Sequence, residues 1–421
     1  MAVAITPREQ ANAEALTRLC DAEPVLVDVR PAGEVVPGME PNMVLTSGAP
    51  MPWEQYTGGQ RTAVLGGAVF EGLASDLDDA EQRVRSGQIV VAACQDHDCI
   101  GSLAGIYTAS MPVFVVENLM RGNRAFCNFF EGPSPKRLNY GIWDEDVRDS
   151  LLVVQDVIAP VIAEAVRRSE RGIALKPIVR HALHMGDELH SRNTAATLLF
   201  ARELFPLLLE VAEQLPGEVR RTYSFLAGSA YFFLRLSMAA SKATADAARD
   251  VEGSSVVSAM TFSCQEFAIR VAGLGDEWFR CGLPQMEPHL FAGYTEDDIE
   301  YMGGESIINE TVGLGGFAQA AAFPLQAYQG GTPEEMVALN LAMYDITLGE
   351  HPSYTIPFLR FRGTPVGIDV KRVVETGVTP VADVGVAGRG GGQIGAGIMR
   401  APIECFRDAA DAWTRRYGDA G

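Results

Sequence analysis

The feature that most constrains the fold is a change in hydrophobic periodicity near residues 145 and 250. Between these positions, apolar residues recur at helical spacing through several long runs, which predicts four or more packed helices. The preceding section alternates buried strands with helices, and the following section is rich in glycine, threonine and short β-like runs. We therefore predict an α/β and α+β multidomain protein, with a Rossmann-like N-terminal domain at 1–144, a mostly helical domain at 145–250 and a Gly-rich α+β domain at 251–421.

The charge balance argues against nucleic-acid and membrane partners. The 421 residues carry a formal net charge of -20, and an acidic surface repels phosphate backbones and anionic lipids. The N-terminal residues lack the basic flank and apolar run of a signal peptide, and no later apolar segment is long enough to span a bilayer. Seven scattered cysteines do not suggest a disulfide framework. We expect a cytoplasmic protein with reduced thiols and no cofactor or metal.

The segment 178–193 concentrates polar side chains in what its spacing predicts to be one helix. It holds three of the six histidines and the pair Asp187 and Glu188. Burying such groups without partners costs free energy, so their clustering indicates a site. At about 100° per residue, His181, His184 and Glu188 fall on one face. The neighbouring face carries an apolar stripe of Ile178, Ala182, Met185 and Leu189.

Two polar turns follow predicted strands in the N-terminal part. Asp96 and His97 come directly after one strand, and Asn118 ends the next, shortly before Asn123 and Arg124. Ligands of open α/β sheets collect beyond the carboxyl ends of strands, so these five residues are candidates for binding substrate. An acidic turn with a solvated histidine explains the first turn equally well, and helix capping explains the second.

Glycine-rich turns in the C-terminal part predict anion binding. In residues 310–318, glycines leave N–H groups free to converge on a phosphate, ahead of an Ala-rich helix predicted from residue 317. Residues 388–397 contain six glycines, which favours close approach of the backbone to another group over a flexible linker. The candidate phosphate-binding residues are Gly313, Gly315, Gly316, Gly395 and Gly397.

Four groups of motifs follow one another through most of the chain. They are His184-Met-Gly-Asp-Glu with His190 and Arg192-Asn; Ser110-Met-Pro-Val with Val116-Glu-Asn and Gly122-Asn-Arg; Glu310-Thr with Gly315-Gly-Phe-Ala; and Phe361-Arg-Gly-Thr-Pro with Gly367-Ile-Asp. In this order they resemble the YlbE-like family, which includes the oxamate carbamoyltransferase subunit of anaerobic allantoin catabolism. The chain departs from the family pattern at 102–103, 261–264, 299–301 and 383–384.

The resemblance implies one subunit of a multi-subunit bacterial transferase that phosphorolyses oxalurate to oxamate and carbamoyl phosphate. The substrate class would then be a small carboxylated amide or carbamoyl phosphate. Companion subunits are implied as well, one of them resembling succinyl-CoA synthetase. A homo-oligomer is the other assembly that we expect.

Moving a carbamoyl group to phosphate requires oxyanion stabilisation, a phosphate site and a holder for the leaving carboxylate. We predict that Arg362 or Arg124 holds the carboxylate through paired guanidinium N–H groups. His184 is predicted to orient or protonate the leaving nitrogen, with Asp187 or Glu188 fixing its tautomer. The further candidates are His190 as a catalytic residue and, for substrate binding, Asp96, His97, Asn118, Asn123, Glu310, Thr311, Thr364 and Asp369.

Three other interpretations are open. The polar residues of 178–193 form an interhelical network that joins two domains. Alternatively, His181, His184 and Glu188 bind zinc in a metal-assisted amidohydrolase, which bound metal near one equivalent would support. As a third interpretation, the chain is a non-catalytic assembly subunit, which would copurify with a partner and bind no small ligand alone.

Overall fold

The computed structural model describes residues 6–418 as a mixed α/β protein with several sheets, which confirms the predicted mixture of helical and sheet parts. The N-terminal helices are α1 Pro7–Asp21, α2 Ala32–Val35, α3 Gly58–Phe70 and α4 Leu77–Arg85. The N-terminal strands are β1 Pro24–Pro31, β2 Met43–Thr46, β3 Val90–Ala93, β4 Cys99–Ile100, β5 Pro112–Asn118 and β6 Arg124–Asn128.

The Rossmann-like interpretation of the N-terminal part is not confirmed. Its main sheet has the strand order β4-β6-β5-β1-β7, where β7 is Ile173–Ala174, and all neighbours are antiparallel except β4 and β6. Strands β5 and β6 are antiparallel because a short turn joins them, closed by the Asn118 N–H, which donates to the Asn123 carbonyl at 2.9 Å. Helices α3 and α4 connect the separate parallel pair β2 and β3.

The middle section is helical, as predicted. Its helices are α5 Glu145–Val153, α6 Ala159–Arg168, α7 Leu175–His184, α8 Thr194–Ala212, α9 Pro216–Ala227 and α10 Phe232–Asp246, with a π-helical turn, Val154–Ile158, between α5 and α6. Helix α10 buries 13 of its 15 residues because it packs against β5 and β6 as well as α7 and α8. A helix covered on every side also buries its polar residues, which then need partners.

The C-terminal part contains three further antiparallel sheets. Its helices are α11 Ile308–Thr311, α12 Gln326–Gln329, α13 Pro333–Met343, α14 Val370–Thr376 and α15 Ile403–Tyr417. Its strands are β8 Val257–Phe262, β9 Phe267–Val271, β10 Phe279–Cys281, β11 Gln285–Leu290, β12 Ile299–Glu300, β13 Thr347–Ile356, β14 Arg362–Ile368, β15 Val381–Gly388 and β16 Gln393–Arg400. The sheet orders are β10-β9-β8, β11-β16-β15-β12 and β13-β14.

Two glycine-rich segments differ from their predicted structures. The Ala-rich stretch after Phe317 forms successive 3₁₀ turns rather than an α-helix, because Ala318 and Ala322 adopt φ angles of -130° and -128°. Residues 388–397 form the ends of β15 and β16. Gly395 lies beside β11, where an added Cβ would be 2.6 Å from the carbonyl oxygen of His289. The close backbone approach predicted there is to a neighbouring strand.

Helix α1 is held by residues much later in the chain. The buried Asn12 donates from Nδ2 to Ser255 Oγ at 3.0 Å, and its Oδ1 accepts from the Ser255 N–H at 2.9 Å. Leu16 packs on Gly349 of β13 and Gly367 of β14. The first helix therefore depends on the part of the chain after residue 250 for its position.

The largest hydrophobic core is shared by all three predicted sections. It joins Leu19 and Phe114 of the N-terminal part to Phe200 and Phe232 of the helices and Ile308 of the C-terminal part. The domain boundaries near 144 and 250 stay predictions. Within residues 6–418, no helix combines the length and apolar character needed to cross a membrane.

Candidate functional site

Helix α7 ends at His184, and residues 185–193 form a loop. Gly186 and Leu189 have φ angles of +96° and +74°, which a right-handed helix does not accommodate. The prediction of one helix over 178–193 is therefore wrong.

The loop separates the side chains that a continuous helix would have aligned. His181 and His184 are exposed, whereas Glu188 is fully buried. Met185, expected in an apolar stripe, is exposed too. The three ligands of the zinc interpretation do not converge, and residues 6–418 contain no group of three or more His, Cys, Asp or Glu side chains arranged to hold a metal ion.

The loop instead places His190 in a buried polar cluster. The ring is 3% exposed, with Nδ1 2.7 Å from Glu310 Oε1 and Nε2 2.7 Å from Ser306 Oγ. A carboxylate only accepts, so Nδ1 carries the proton and Nε2 accepts from the Ser306 hydroxyl. His190 is thus held in the tautomer that has a free base at Nε2.

Three buried carboxyl groups lie beneath this histidine. Glu310 Oε1 also accepts from the Gly316 N–H at 3.0 Å, and Glu188 accepts from the N–H groups of His190 and Arg192. Burial, reinforced by the charge of Asp383, raises the pKa of Glu188 well above its ordinary value. Burial and the charge of Glu310 raise the pKa of Asp383. These shifts favour the protonated forms of Glu188 and Asp383, because adjacent buried carboxylates repel one another.

A small cavity opens beside His190 and Ser306, and two arginines line it. Arg235, on α10, is 4% exposed, and its Nε and Nη1 atoms have no hydrogen-bond partner within the described chain. Burial lowers the pKa of this guanidinium. Arg137 stacks over the rings of Phe130 and Tyr140, 4.8 and 5.3 Å from their centroids. A buried guanidinium without a partner calls for an anion, and the cavity is where one would bind.

Neutral donors complete the cavity wall. Tyr140 donates to Gln393 Oε1 at 3.1 Å, and Gln393 Nε2 donates to the Tyr328 hydroxyl. Burial raises the pKa of Tyr328 and of Tyr231, which also lines the cavity, so both keep their phenolic protons. The cavity thus combines positive charge, hydroxyl donors and a histidine base, which suits a small anion that carries carbonyl or amide groups.

Comparison with known proteins decides the family. A family model described as oxamate carbamoyltransferase subunit AllG matches residues 89–306, a range that includes His190, Arg235 and Ser306. The oxamate carbamoyltransferase subunit AllG of Escherichia coli is 37% identical over 97% of this chain and 98% of its own length. The chain belongs to the AllG family.

Two further relatives extend the AllG comparison. The Escherichia coli protein YahG, described as uncharacterized, is 41% identical over 97% of this chain and 86% of its own length. A crystal structure of a conserved protein of unknown function from Enterococcus faecalis V583 superimposes with a TM-score of 0.94 at 39% identity, covering 97% of this chain and 98% of that one. The resemblance to carbamoyltransferase subunits seen in the sequence is confirmed at the level of the family.

Glu305 fixes the cavity wall next to Ser306. Its Oε2 accepts from the Gly101 N–H at 2.7 Å, and its Oε1 accepts from Thr261 Oγ1 at 3.1 Å. These bonds hold the turn of Ser102 and Leu103, which lines the cavity.

We expect stability to fall as pH rises toward 8 because of Glu305. Burial raises the pKa of this fully buried carboxyl from 4.5 to about 8, so in that window the folded state binds more protons than the unfolded state. The slope of the unfolding free energy is then negative, up to about 1.4 kcal/mol per pH unit from this group, and flattens above pH 8. Urea unfolding of wild type and Glu305→Gln between pH 5 and 9 measures this dependence of the unfolding free energy on pH. The variant should show a shallower slope, and the exposed control Glu40→Gln should follow wild type; parallel curves for all three would contradict the assignment.

Other predicted residues of this AllG-family chain lie outside the cavity. His184 bonds through Nε2 to Thr355 Oγ1 at 2.8 Å on the surface. Asp187 accepts from the Ala196 N–H at 2.8 Å, at the start of α8, and burial raises its pKa to about 6. The positions of both residues favour structural roles.

The candidates of the N-terminal turns are engaged locally. Asn118 Oδ1 accepts from the Glu23 N–H at 3.0 Å, and Asn123 Nδ2 donates to the Ala243 carbonyl at 2.8 Å, so the pair anchors the β5–β6 turn. Arg124 pairs with Glu117 on the surface.

The acidic turn is engaged as well. Asp96 accepts from Arg270 at 2.6 Å, and His97 Nδ1 lies 2.7 Å from the Pro37 carbonyl oxygen. Among the described residues, neither side chain lines the cavity that holds Arg235.

The C-terminal candidates divide into two groups. Arg362 pairs with Glu350 and stacks on a tyrosine ring, while Asp369 accepts from the Lys371 N–H at the start of α14. Thr311 donates to the Ile308 carbonyl, and Thr364 is buried beside Gly313. Glu310, by contrast, belongs to the His190 cluster.

The glycine turn at 313–316 uses its N–H groups within the protein. Gly315 donates to the Glu188 carbonyl at 2.7 Å, Gly316 donates to the Glu310 carboxylate, and Gly313 donates to the Glu310 carbonyl at 3.2 Å. A phosphate would have to displace these bonds. Gly397 lies in β16, paired with β11 and β15.

Sequence reasoning missed Arg137, Arg235 and Ser306. For Arg235 a signal existed, because one arginine stands in the otherwise apolar helical run of residues 232–236, where a buried charge demands a partner or ligand. Ser306 gave no local signal, since its partner His190 lies 116 residues away.

Proposed function

We propose that this chain is the substrate-binding subunit of a carbamoyltransferase acting on a small carboxylated amide, as in phosphorolysis of oxalurate to oxamate and carbamoyl phosphate. The observation that carries the proposal is the buried Arg235 guanidinium, with two unpartnered N–H-bearing atoms, in the cavity beside His190. Membership of the AllG family supports the reaction class.

The cavity supplies the groups that this reaction requires. Arg235 and Arg137 would bind the carboxylate or phosphate, and the Tyr328 hydroxyl would donate to a carbonyl oxygen. His190 Nε2 would take and return a proton, with Nδ1 held by Glu310. The acid–base role first predicted for His184 thus passes to His190.

The proposal also includes companion subunits and a cytoplasmic location. A relative named as a subunit supports companion subunits for this chain. All seven cysteines lie within residues 6–418 and are free thiols there, which supports a reducing cytoplasmic location. The alternative of a non-catalytic assembly subunit predicts that the isolated chain binds no small anion.

The test is calorimetric titration and thermal unfolding of the isolated chain with oxamate, carbamoyl phosphate and inorganic phosphate in turn. A ligand that binds the folded state alone stabilises it by about 2.7 kcal/mol at a hundredfold excess over Kd. We expect oxamate or carbamoyl phosphate to bind and to raise the unfolding temperature. If all three ligands leave both measurements unchanged, the proposal fails and the assembly role is favoured.

A further inference from the structure

We propose that Ser306 is the nucleophile that accepts the carbamoyl group, so that the transfer proceeds through a carbamoyl-serine intermediate. The inference rests on the proposed function and adds a covalent step to it. It assigns His190 as the base that activates Ser306 and Glu310 as the residue that positions His190.

The three side chains form a continuous relay. Ser306 Oγ lies 2.7 Å from His190 Nε2, and His190 Nδ1 lies 2.7 Å from Glu310 Oε1. This order of hydroxyl, imidazole and carboxylate is the arrangement that activates serine in hydrolases of unrelated folds, where geometry rather than chain position defines the role. Within residues 6–418, Ser306 is the one serine whose hydroxyl bonds a histidine ring nitrogen.

The carboxylate end of the relay is buried and held in place, and its hydroxyl end is open to the cavity. Glu310 is fully buried, and the Gly316 N–H fixes the oxygen that faces His190. Ser306 is partly exposed and lines the cavity. The Ser306 hydroxyl therefore lies at the wall of the cavity that also holds Arg235, which a bond serving only to pack the protein interior would not require.

The cavity also stabilises the charge that such an attack creates. Addition of an oxygen nucleophile to a carbonyl places negative charge on the carbonyl oxygen, and preorganised donors lower the barrier most when they lie in a site that excludes water. The unpartnered Nε and Nη1 of Arg235 supply positive charge in the same cavity as Ser306.

The chemical step balances with the groups present and inorganic phosphate as the second substrate. The Ser306 Oγ attacks the carbamoyl carbon of oxalurate, and its proton moves to His190 Nε2. The bond from that carbon to the amide nitrogen breaks, and His190 returns the proton to this nitrogen, releasing oxamate. An oxygen of hydrogen phosphate then attacks the carbamoyl carbon, and its proton moves to His190 Nε2. The bond from that carbon to Ser306 Oγ breaks, and His190 returns the proton to Oγ, which releases carbamoyl phosphate and restores the serine hydroxyl.

The experiment incubates the full chain with carbonyl-labelled carbamoyl phosphate, quenches in acid and maps the label by peptide mass spectrometry. The proteins are wild type, Ser306→Ala and the matched control Ser353→Ala, whose serine is also partly exposed but lies on β13. We expect one carbamoyl group on the peptide with Ser306 in wild type and control, and none at that position in Ser306→Ala. In the assembled enzyme, turnover of Ser306→Ala should fall on the order of 10⁶-fold, as it does when the serine nucleophile of a catalytic triad is removed.

Oxamate titration of the same samples separates the two proposals. If wild type binds oxamate but carries no label at Ser306, or if Ser306→Ala turns over like wild type, the nucleophile is wrong while the function stands. If wild type binds neither oxamate nor carbamoyl phosphate, both fail. Ser306→Cys guards against misfolding of the alanine variant, because its thiol should accept the carbamoyl group; a folded cysteine variant without label would also refute the inference.

Discussion

Arg235→Met should bind oxamate and carbamoyl phosphate far more weakly than wild type and yet be the more stable protein. Each hydrogen bond from the guanidinium to an anion is worth about 1.5–3 kcal/mol. Loss of two such bonds predicts a fall in affinity on the order of 10² to 10⁴-fold. Methionine has a similar length and no charge, so it removes a buried cation that forms no ion pair within residues 6–418, and we expect a gain of about 1–3 kcal/mol in unfolding free energy.

Calorimetric titration and urea unfolding measure the two effects on one sample. The matched control is Arg270→Met, since Arg270 is equally buried but pairs with Asp96 at 2.6 Å and stacks on a tryptophan ring. That variant should lose stability and keep its affinity for anions. An Arg235→Met protein that binds as tightly as wild type would remove the main support for the proposed function.

Gly316→Ala is expected to destabilise the fold by about 3 kcal/mol or more, the range of severe overpacking. An added Cβ would lie 2.7 Å from the carbonyl carbon of Val381 and 3.1 Å from the Cα of Ala382, both on the neighbouring backbone of β15. Backbone atoms cannot rotate away as a flexible side chain can. Because the Gly316 N–H also holds Glu310, the His190 relay should be disturbed as well.

Chemical denaturation of Gly316→Ala beside Gly390→Ala tests this reasoning. Around Gly390, an added Cβ would meet no atom within 4 Å, so its substitution should change stability by no more than about 0.5 kcal/mol. If Gly316→Ala unfolds like wild type but no longer binds phosphate, the glycine serves the ligand, as the sequence first suggested, and not the packing of the turn.

Local periodicity predicted much of the secondary structure. The strands expected before Asp96 and up to Asn118 correspond to β3 and β5, and the helices expected between 145 and 250 correspond to α5 to α10. Such patterns reflect which face of a single helix or strand is buried, and this can be read from residues that are close together in the sequence. The direction of the strands in the N-terminal sheet could not be predicted from such patterns, because it depends on how strands that are distant in the sequence pair.

The candidate site was predicted in part. The motifs identified Glu188, His190 and Glu310, which do come together, but a continuous helix was assumed through Gly186. In the structure the Glu188 carboxylate bonds the N–H groups of His190 and Arg192, and local bonds of this kind compete with helix formation. Such competition is hard to recognise from spacing alone.

The position of α1 also has a consequence for synthesis. Asn12 bonds a serine 243 positions later, and at about 5–20 residues per second a ribosome takes roughly 10–50 s to make that interval. During this time Asn12 and Leu16 lack the partners that they contact in the folded protein. A chain whose translation stops before Ser255 therefore cannot complete the packing of its first described helix.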